Sequence, residues 1–227
     1  AKIIDQTYLK KEATEEDFKT VVEEVKKYSF RGFCVFPEYT KIAKEILGGT
    51  GVKVTTLIDE PTGASSHKRR LAMVKAAKNA GSDEVDVVMK IDDFKNKKYK
   101  EVLDDLSEIC KILPAKIIIG SGYLTDEEIK KASEMVKDAG AICVKTATLD
   151  DPLDRSELSE KAKHVKIMKE SSVDLLVKAA GSIRTLADLE MMVAAGADII
   201  GTSSGAEIVN EAMGKEVDDS EEWRKIE

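Results

Sequence analysis

Residues 126–147 read DEEIKKASEMVKDAGAICVKTA, and two textures meet inside that stretch. Asp126–Ala139 is charged with apolar residues at helical spacing, whereas Ala141–Ala147 is a short run rich in apolar and β-branched residues. Gly140 sits at the junction, where a helix ends on a residue in the left-handed conformation that only glycine adopts without a Cβ clash. The same junction recurs at Ala80-Gly81-Ser82 and Ala195-Gly196-Ala197. Three copies of helix, AG(A/S), strand mean a repeated αβ unit, and such units build parallel sheets.

Working outward, the sequence predicts eight strands: Lys2–Leu9, Gly32–Phe36, Val52–Ile58, Glu84–Met89, Lys116–Gly120, Ala141–Ala147, Asp174–Ala180 and Asp198–Ser203. Amphipathic stretches separate them. In Glu15–Tyr28, Phe18, Val21, Val22 and Val25 fall on one helix face. Eight such units close into an α/β (β/α)8 TIM barrel. The competing open, doubly wound sheet normally carries a glycine-rich fingerprint after its first strand. Here that turn is Lys10-Lys11-Glu12-Ala13-Thr14, with Thr14 and Asp17 reading as a helix cap and an acidic first turn. The barrel is therefore the expected fold.

The 227 residues are 42% hydrophobic and 35% charged, enough apolar material for a sizeable core. Residues 1–213 are expected to form one barrel domain and 214–227 a charged C-terminal tail, which Trp223 would pack against the body or a neighbouring subunit. The net charge of −7 argues against a broad nucleic-acid surface. No apolar run nears the roughly 18 residues of a membrane span, and no signal-peptide pattern opens the chain. Cys34, Cys110 and Cys143 are too widely separated for a zinc site and odd in number. The reading is a soluble protein of a reducing compartment, with no metal, no nucleic-acid partner and no membrane partner.

Chemistry is expected at the C-terminal ends of the strands. Lys145 and Lys178 interrupt the apolar sixth and seventh strands. Each read alone could point outward or pair with a carboxylate; two equivalent lysines on adjacent strands fit Schiff-base catalysis. A lysine attacks a carbonyl only as the neutral amine, and a second ammonium in a desolvated site favours that form. Asp86, alone among the apolar residues around it, is placed to move protons near the lysines. Asp5 on the first strand could join the same network. Gly181-Ser182-Ile183-Arg184 and Gly201-Thr202-Ser203-Ser204-Gly205 end the last two strands, where barrels often bind phosphate with backbone N–H groups. His67 and His164 read as surface residues without ligand partners, His67-Lys68-Arg69-Arg70 as a solvated face, and Lys95-Asn96-Lys97-Lys98 as a polar loop. Met191 and Met192 read as core filling.

With these residues in view, the chain resembles the deoxyribose-phosphate aldolase family over almost its whole length. The resemblance rests on IDQT (Ile4–Thr7), DEVDVV (Asp83–Val88), VKTAT (Val144–Thr148), VKAAGSIRT (Val177–Thr185) and GTSSG (Gly201–Gly205). It implies Lys145 as the Schiff-base lysine, Lys178 as its neighbour and Asp86 as the proton-relay carboxylate. It further implies phosphate contacts from Gly181, Ser182, Gly201, Ser203 and Ser204. The implied reaction is reversible cleavage of 2-deoxyribose 5-phosphate to acetaldehyde and glyceraldehyde 3-phosphate, with no cofactor. The implied setting is a cytoplasmic homo-oligomer in deoxynucleoside breakdown, with a small aldehyde or sugar phosphate as its partner molecule.

Departures from the family pattern cluster on the same face. Gln6 stands where the motif usually has His, and Ser182 replaces the second glycine of a paired-glycine turn. Asp59-Glu60-Pro61, Lys90 and Gly120-Ser121-Gly122 alter three further loops. After the sixth strand the chain runs Leu149-Asp150-Asp151-Pro152-Leu153-Asp154, and three acids there would repel a dianion. That loop supports an alternative reading, a Schiff-base aldolase or lyase with a pocket remodelled for a different substrate, phosphorylated or not. A non-catalytic ligand-binding barrel is the reading from another class.

Overall fold

In the computed structural model, which describes residues 1–10, 15–147, 149–153 and 155–215, eight parallel strands close into one barrel. They are β1 (Ile4–Tyr8), β2 (Gly32–Val35), β3 (Lys53–Ile58), β4 (Glu84–Val88), β5 (Ala115–Ile118), β6 (Cys143–Lys145), β7 (Leu176–Ala180) and β8 (Ile199–Thr202). Each pairs with its sequence neighbour, and β1 pairs with β8. The connecting helices are α1 (Glu15–Tyr28), α2 (Thr40–Leu47), α3 (His67–Asn79), α4 (Ile91–Lys95), α5 (Tyr99–Cys110), α6 (Asp126–Asp138), α7 (Leu158–Ser171), α8 (Leu186–Ala194) and α9 (Gly205–Ala212). None of them is long and apolar enough to cross a membrane.

The expected helix faces and junctions are present. Phe18, Val21, Val22 and Val25 of α1 are all buried against the barrel, each contributing about 1.5–3 kcal/mol on full burial. Gly81, Gly140 and Gly196 all have positive φ. The apolar core lies between barrel and helices. A smaller apolar group of Cys34, Phe36, Leu57, Val88, Ile91 and Ile118 packs separately from it.

Strand ends are shorter than the sequence predicts, most of all in β6, which spans Cys143–Lys145 instead of Ala141–Ala147. The cause is Thr146. Its hydroxyl accepts from the Ala180 N–H and donates to the Ala180 carbonyl, both at 3.0 Å, which substitutes for a backbone ladder and ends the strand. Lys145 thereby becomes the last residue of β6. Thr14, Thr148, Asp154 and the tail from residue 216, including Trp223, lie outside the described residues.

Candidate active site

Side chains alternate in direction along a strand, so one phase of each barrel strand points inward. On β4 the inward phase carries Glu84 and Asp86, on β5 Lys116, on β6 Lys145 and on β7 Lys178. Asp5 of β1 joins them, and every one of these side chains is buried. Lys145 and Lys178 are register partners across β6 and β7.

Asp86 is the hub. Its Oδ2 accepts from Lys145 Nζ and Lys178 Nζ, both at 2.9 Å, and its Oδ1 accepts from Lys116 Nζ at 2.8 Å. Lys178 also donates to Asp5 Oδ2 at 2.7 Å. Lys116 reaches Glu84 Oε2 at 2.8 Å and the Thr55 hydroxyl at 3.1 Å. Arg31 closes the far side, with Nη1 at 2.9 Å from Asp5 Oδ1 and two bonds of 3.1 Å to Glu84. The Cys34 thiol lies 3.8 Å from Asp86 Oδ2, and burial pushes it up to about 11. Tight approach is built in: a Cβ at Gly201 would come within 2.9 Å of Lys178 Cε.

The structure thus brings Lys145, Lys178, Asp86 and Asp5 into one cluster. It adds Lys116, Glu84 and Arg31, which the sequence reading missed. A signal existed for two of them: Glu84 is two residues before Asp86 and shares its face, and Lys116 opens an otherwise apolar strand.

The charges balance except for one. Asp5, Glu84 and Asp86 are matched by Arg31, Lys116 and Lys178, leaving Lys145 as the surplus cation (Lys53, half exposed, touches Glu84 from outside). Burial alone would raise the carboxylates, but the surrounding cations outweigh it. Lys116, Lys145 and Lys178 hold Asp86 well below the usual range, Lys178 does the same for Asp5, and Lys116 brings Glu84 to about 2. Burial likewise opposes the Lys178 and Lys116 ammoniums, and the carboxylates hold both above the ordinary lysine range. A lowered carboxylate stabilises the fold above its unfolded value and loses that contribution as pH falls through the folded one. The barrel is therefore expected to keep this contribution down to about pH 4 and lose it toward pH 2, which an acid titration followed by circular dichroism will read.

The turns after β7 and β8 form the second part of the site. Gly181 and Ser182 both have positive φ, so Ser182 holds the left-handed backbone of the glycine it replaces. The α8 N-terminus is satisfied internally by a capping box of Thr185 and Asp188. By contrast, Ser204 makes no side-chain cap on α9. The Ser203 and Ser204 hydroxyls have no hydrogen-bond partner among the described residues. Gly201 is the penultimate residue of β8, which ends at Thr202 just before them.

Several expectations are corrected here. The acid loop does not present free charges throughout: the Asp151 carboxylate is 2.7 Å from the buried Lys161 Nζ, which also donates to the Gly181 carbonyl at 2.7 Å. Arg155 donates to the Ser182 carbonyl at 3.0 Å and pairs with Asp188 at 2.8 Å, so its charge in this corner is matched. Arg70 is buried, not solvated, because its guanidinium ties Asp59, Asp105 and the Val88 carbonyl together. His67, at the start of α3, does lie at the surface as expected, and there it bonds Asp105 and Glu108. His164 is buried in α7, and burial lowers its basicity. Met191 is exposed while Met192 is core.

His164, Glu160 and Asp126 are the described residues whose ligand atoms lie close enough together to hold a metal. Lys163 Nζ already bridges the two carboxylates at 2.8 and 3.0 Å. One of their two negative charges is thereby balanced without an ion.

The chain that folds into this barrel, with its buried lysine–carboxylate cluster and two glycine–serine turns, matches known proteins over nearly its full length. Residues 1–214 match the family model described as DeoC/LacD family aldolase. The deoxyribose-phosphate aldolase of Staphylococcus carnosus is 38% identical over 213 residues, 92% of this chain and 94% of that protein. That of Dictyoglomus turgidum is 37% identical over 219 residues, 95% and 97% of the two chains. Among solved structures, the aldolase QR15 superposes with a TM-score of 0.86 at 33% identity, covering 93% of this chain and 95% of that one. The tetrameric deoxyribose phosphate aldolase of Aeropyrum pernix gives 0.82 at 30% identity, covering 93% and 89%. Fold and full-length similarity agree, and the chain belongs to the DeoC/LacD family of aldolases.

Proposed function

We propose that the chain reversibly cleaves 2-deoxyribose 5-phosphate to acetaldehyde and glyceraldehyde 3-phosphate through a Schiff base on Lys145. The observation that carries this reading is the position of Lys145 within the cluster. It ends its strand, it is the cation beyond the charge balance, and its side chain is 3% exposed where those of Lys116 and Lys178 are 0%. A substrate entering from the strand ends meets this amine first. Loss of its proton leaves the interior electrically neutral, and the neutral amine is the nucleophile.

The amine attacks C1 of the open-chain sugar, the carbonyl oxygen takes a proton, and loss of water gives an iminium. Removal of the C3 hydroxyl proton then breaks the C2–C3 bond, whose electron pair flows into the iminium. Glyceraldehyde 3-phosphate leaves, and an enamine remains. Its carbon takes up a proton, water adds back, and acetaldehyde departs with Lys145 restored. Asp86 Oδ2, 2.9 Å from both Lys145 and Lys178, is the shared acceptor through which a proton passes between the two amines. Asp5 and Lys116 hold that carboxylate and its lysines in place.

Gly181, Ser182, Gly201, Ser203 and Ser204 are proposed as the phosphate contacts. Supporting this are the two uncommitted serine hydroxyls and the pairing of Asp151 with Lys161, which removes one of the acids that argued for a non-phosphorylated substrate. A cytoplasmic homo-oligomer is the setting this reading carries, in line with the tetrameric relative.

Borohydride reduction with acetaldehyde present is expected to fix a two-carbon adduct on Lys145, located by peptide mass mapping. An adduct on another lysine, or none, overturns the assignment. Turnover of 2-deoxyribose 5-phosphate is expected to exceed that of 2-deoxyribose by at least about 100-fold in kcat/KM, the scale of two or more charge-assisted hydrogen bonds.

A further inference from the structure

Gln6 lies in the middle of β1, is fully buried and takes no part in the lysine–carboxylate cluster. Its side-chain amide reaches across the β1–β8 seam to the last turn. Nε2 donates to the Ser203 carbonyl at 2.6 Å, and Oε1 accepts from the Gly205 N–H at 3.0 Å. One planar group thus grips both sides of Ser204 with a donor and an acceptor.

Gly205 is the first residue of α9, whose opening N–H groups need acceptors. Helices usually take one acceptor from the side chain just before them, which serves the N–H two or three residues further on. Ser204, in that position, makes no such bond. Gln6, distant in sequence, supplies an acceptor for the first of these groups, the Gly205 N–H. The contact is specific to a glycine at 205, because a Cβ there would come within 2.3 Å of Gln6 Oε1 and 3.0 Å of the Phe30 ring. The Ser204 N–H is also fixed, by the Thr202 hydroxyl at 2.9 Å, and that hydroxyl in turn donates to the Ile183 carbonyl at 2.6 Å beside the other turn.

We infer that Gln6 is a positioning residue for the phosphate group: from the barrel wall it holds both ends of the 203–205 turn, on which the Ser203 and Ser204 hydroxyls stand free for the ligand. The inference rests on the phosphate reading given above. Gln6 touches no reacting atom; it acts through the 203–205 turn. A turn held at both ends is preorganised, and its loss costs binding of the phosphate rather than the bond-breaking step.

The test compares wild type with Gln6→Met, close in size and without either bond, on 2-deoxyribose 5-phosphate and on 2-deoxyribose. For the phosphorylated sugar KM is expected to rise about tenfold, with kcat within about threefold, as two neutral hydrogen bonds are lost. Inhibition by inorganic phosphate is expected to weaken by the same factor, and kcat/KM for 2-deoxyribose to fall by less than about threefold. Should Gln6→Met not fold, Gln6→Glu serves: it keeps the acceptor toward Gly205 but sets an anion against the Ser203 carbonyl, and the same rise in KM is expected.

Equal losses on both sugars mean a merely structural role and overturn the inference. So does a wild-type phosphate preference that the variant leaves intact, while the phosphate reading then stands. A wild-type enzyme indifferent to the phosphate overturns that reading and this inference together.

Discussion

Lys145→Met is expected to lower turnover by at least about 10^4-fold, the scale seen when a covalent nucleophile is removed, and to abolish the borohydride adduct. The variant should fold. Methionine fills similar volume, and without Lys145 the interior still holds Arg31, Lys116 and Lys178 against Asp5, Glu84 and Asp86. Its melting temperature is therefore expected within about 4 °C of wild type, or about 1 kcal/mol for a chain of this size. Lys116→Met is the contrast. It strips a fully buried ammonium from Asp86 and Glu84, and breaking such a set costs about 3–5 kcal/mol. A Lys145→Met enzyme that still turns over, or that unfolds as Lys116→Met does, would show that Lys145 belongs to the structural ion set and not to the chemistry.

Much of this was readable beforehand because the fold repeats itself. The glycine at each helix–strand junction has one conformational job, so three copies disclosed the αβ unit, and the eight apolar runs supplied the strand count. Lys145, Lys178 and Asp86 were legible for a different reason. A charged residue in an apolar strand must find partners or a task, and several on neighbouring strands imply that they find each other. Lys116 and Glu84 escaped because each sits at the beginning of its run, where a charge reads as a strand end facing solvent. Arg31 precedes its strand altogether, and only the barrel's closure brings it beneath Asp5 and Glu84.

Loop chemistry was harder, because charge partners distant in sequence leave no periodic trace. Asp59, Lys90 and Asp151 stood out as charges on the catalytic face, unusual for the family. Each has a partner: Arg70 at 2.6 Å, Asp93 at 2.7 Å and Lys161 at 2.7 Å. Those pairs cancel much of the field that the isolated residues would produce, and they tie the loops to helices α3, α4 and α7. The same reasoning reverses the reading of Arg70. In sequence it belongs to a basic run, yet its guanidinium has three oxygen partners inside the wall and is the buried brace of the loops after β3 and β4. Gln6 is a parallel case: a neutral amide in a strand carries no charge signal, and its purpose emerges only across the β1–β8 seam.

The charge balance also fixes what Lys178→Met should do. Among the described residues, the carboxylates Lys178 touches are Asp5 and Asp86. Without it, Arg31 and Lys116 face three carboxylates, and the Lys145 proton becomes the one that restores neutrality. A close, unmatched carboxylate favours the charged form of an amine by about 10- to 1000-fold, and since only a neutral amine attacks a carbonyl, the rate at neutral pH is expected to fall by a similar factor. Raising the pH removes that proton, so activity is expected to recover on the alkaline side. Adding Asp5→Asn removes one carboxylate and restores the count. The double variant Lys178→Met, Asp5→Asn is therefore expected to be faster at neutral pH than Lys178→Met alone, although it has lost one more polar group. If Lys178 also passes protons through Asp86, the alkaline plateau of Lys178→Met stays below that of wild type, and the gap measures this direct role. A double variant slower than the single one would refute the balance argument, and a single variant with the wild-type profile at every pH would refute any part for Lys178 in the reaction.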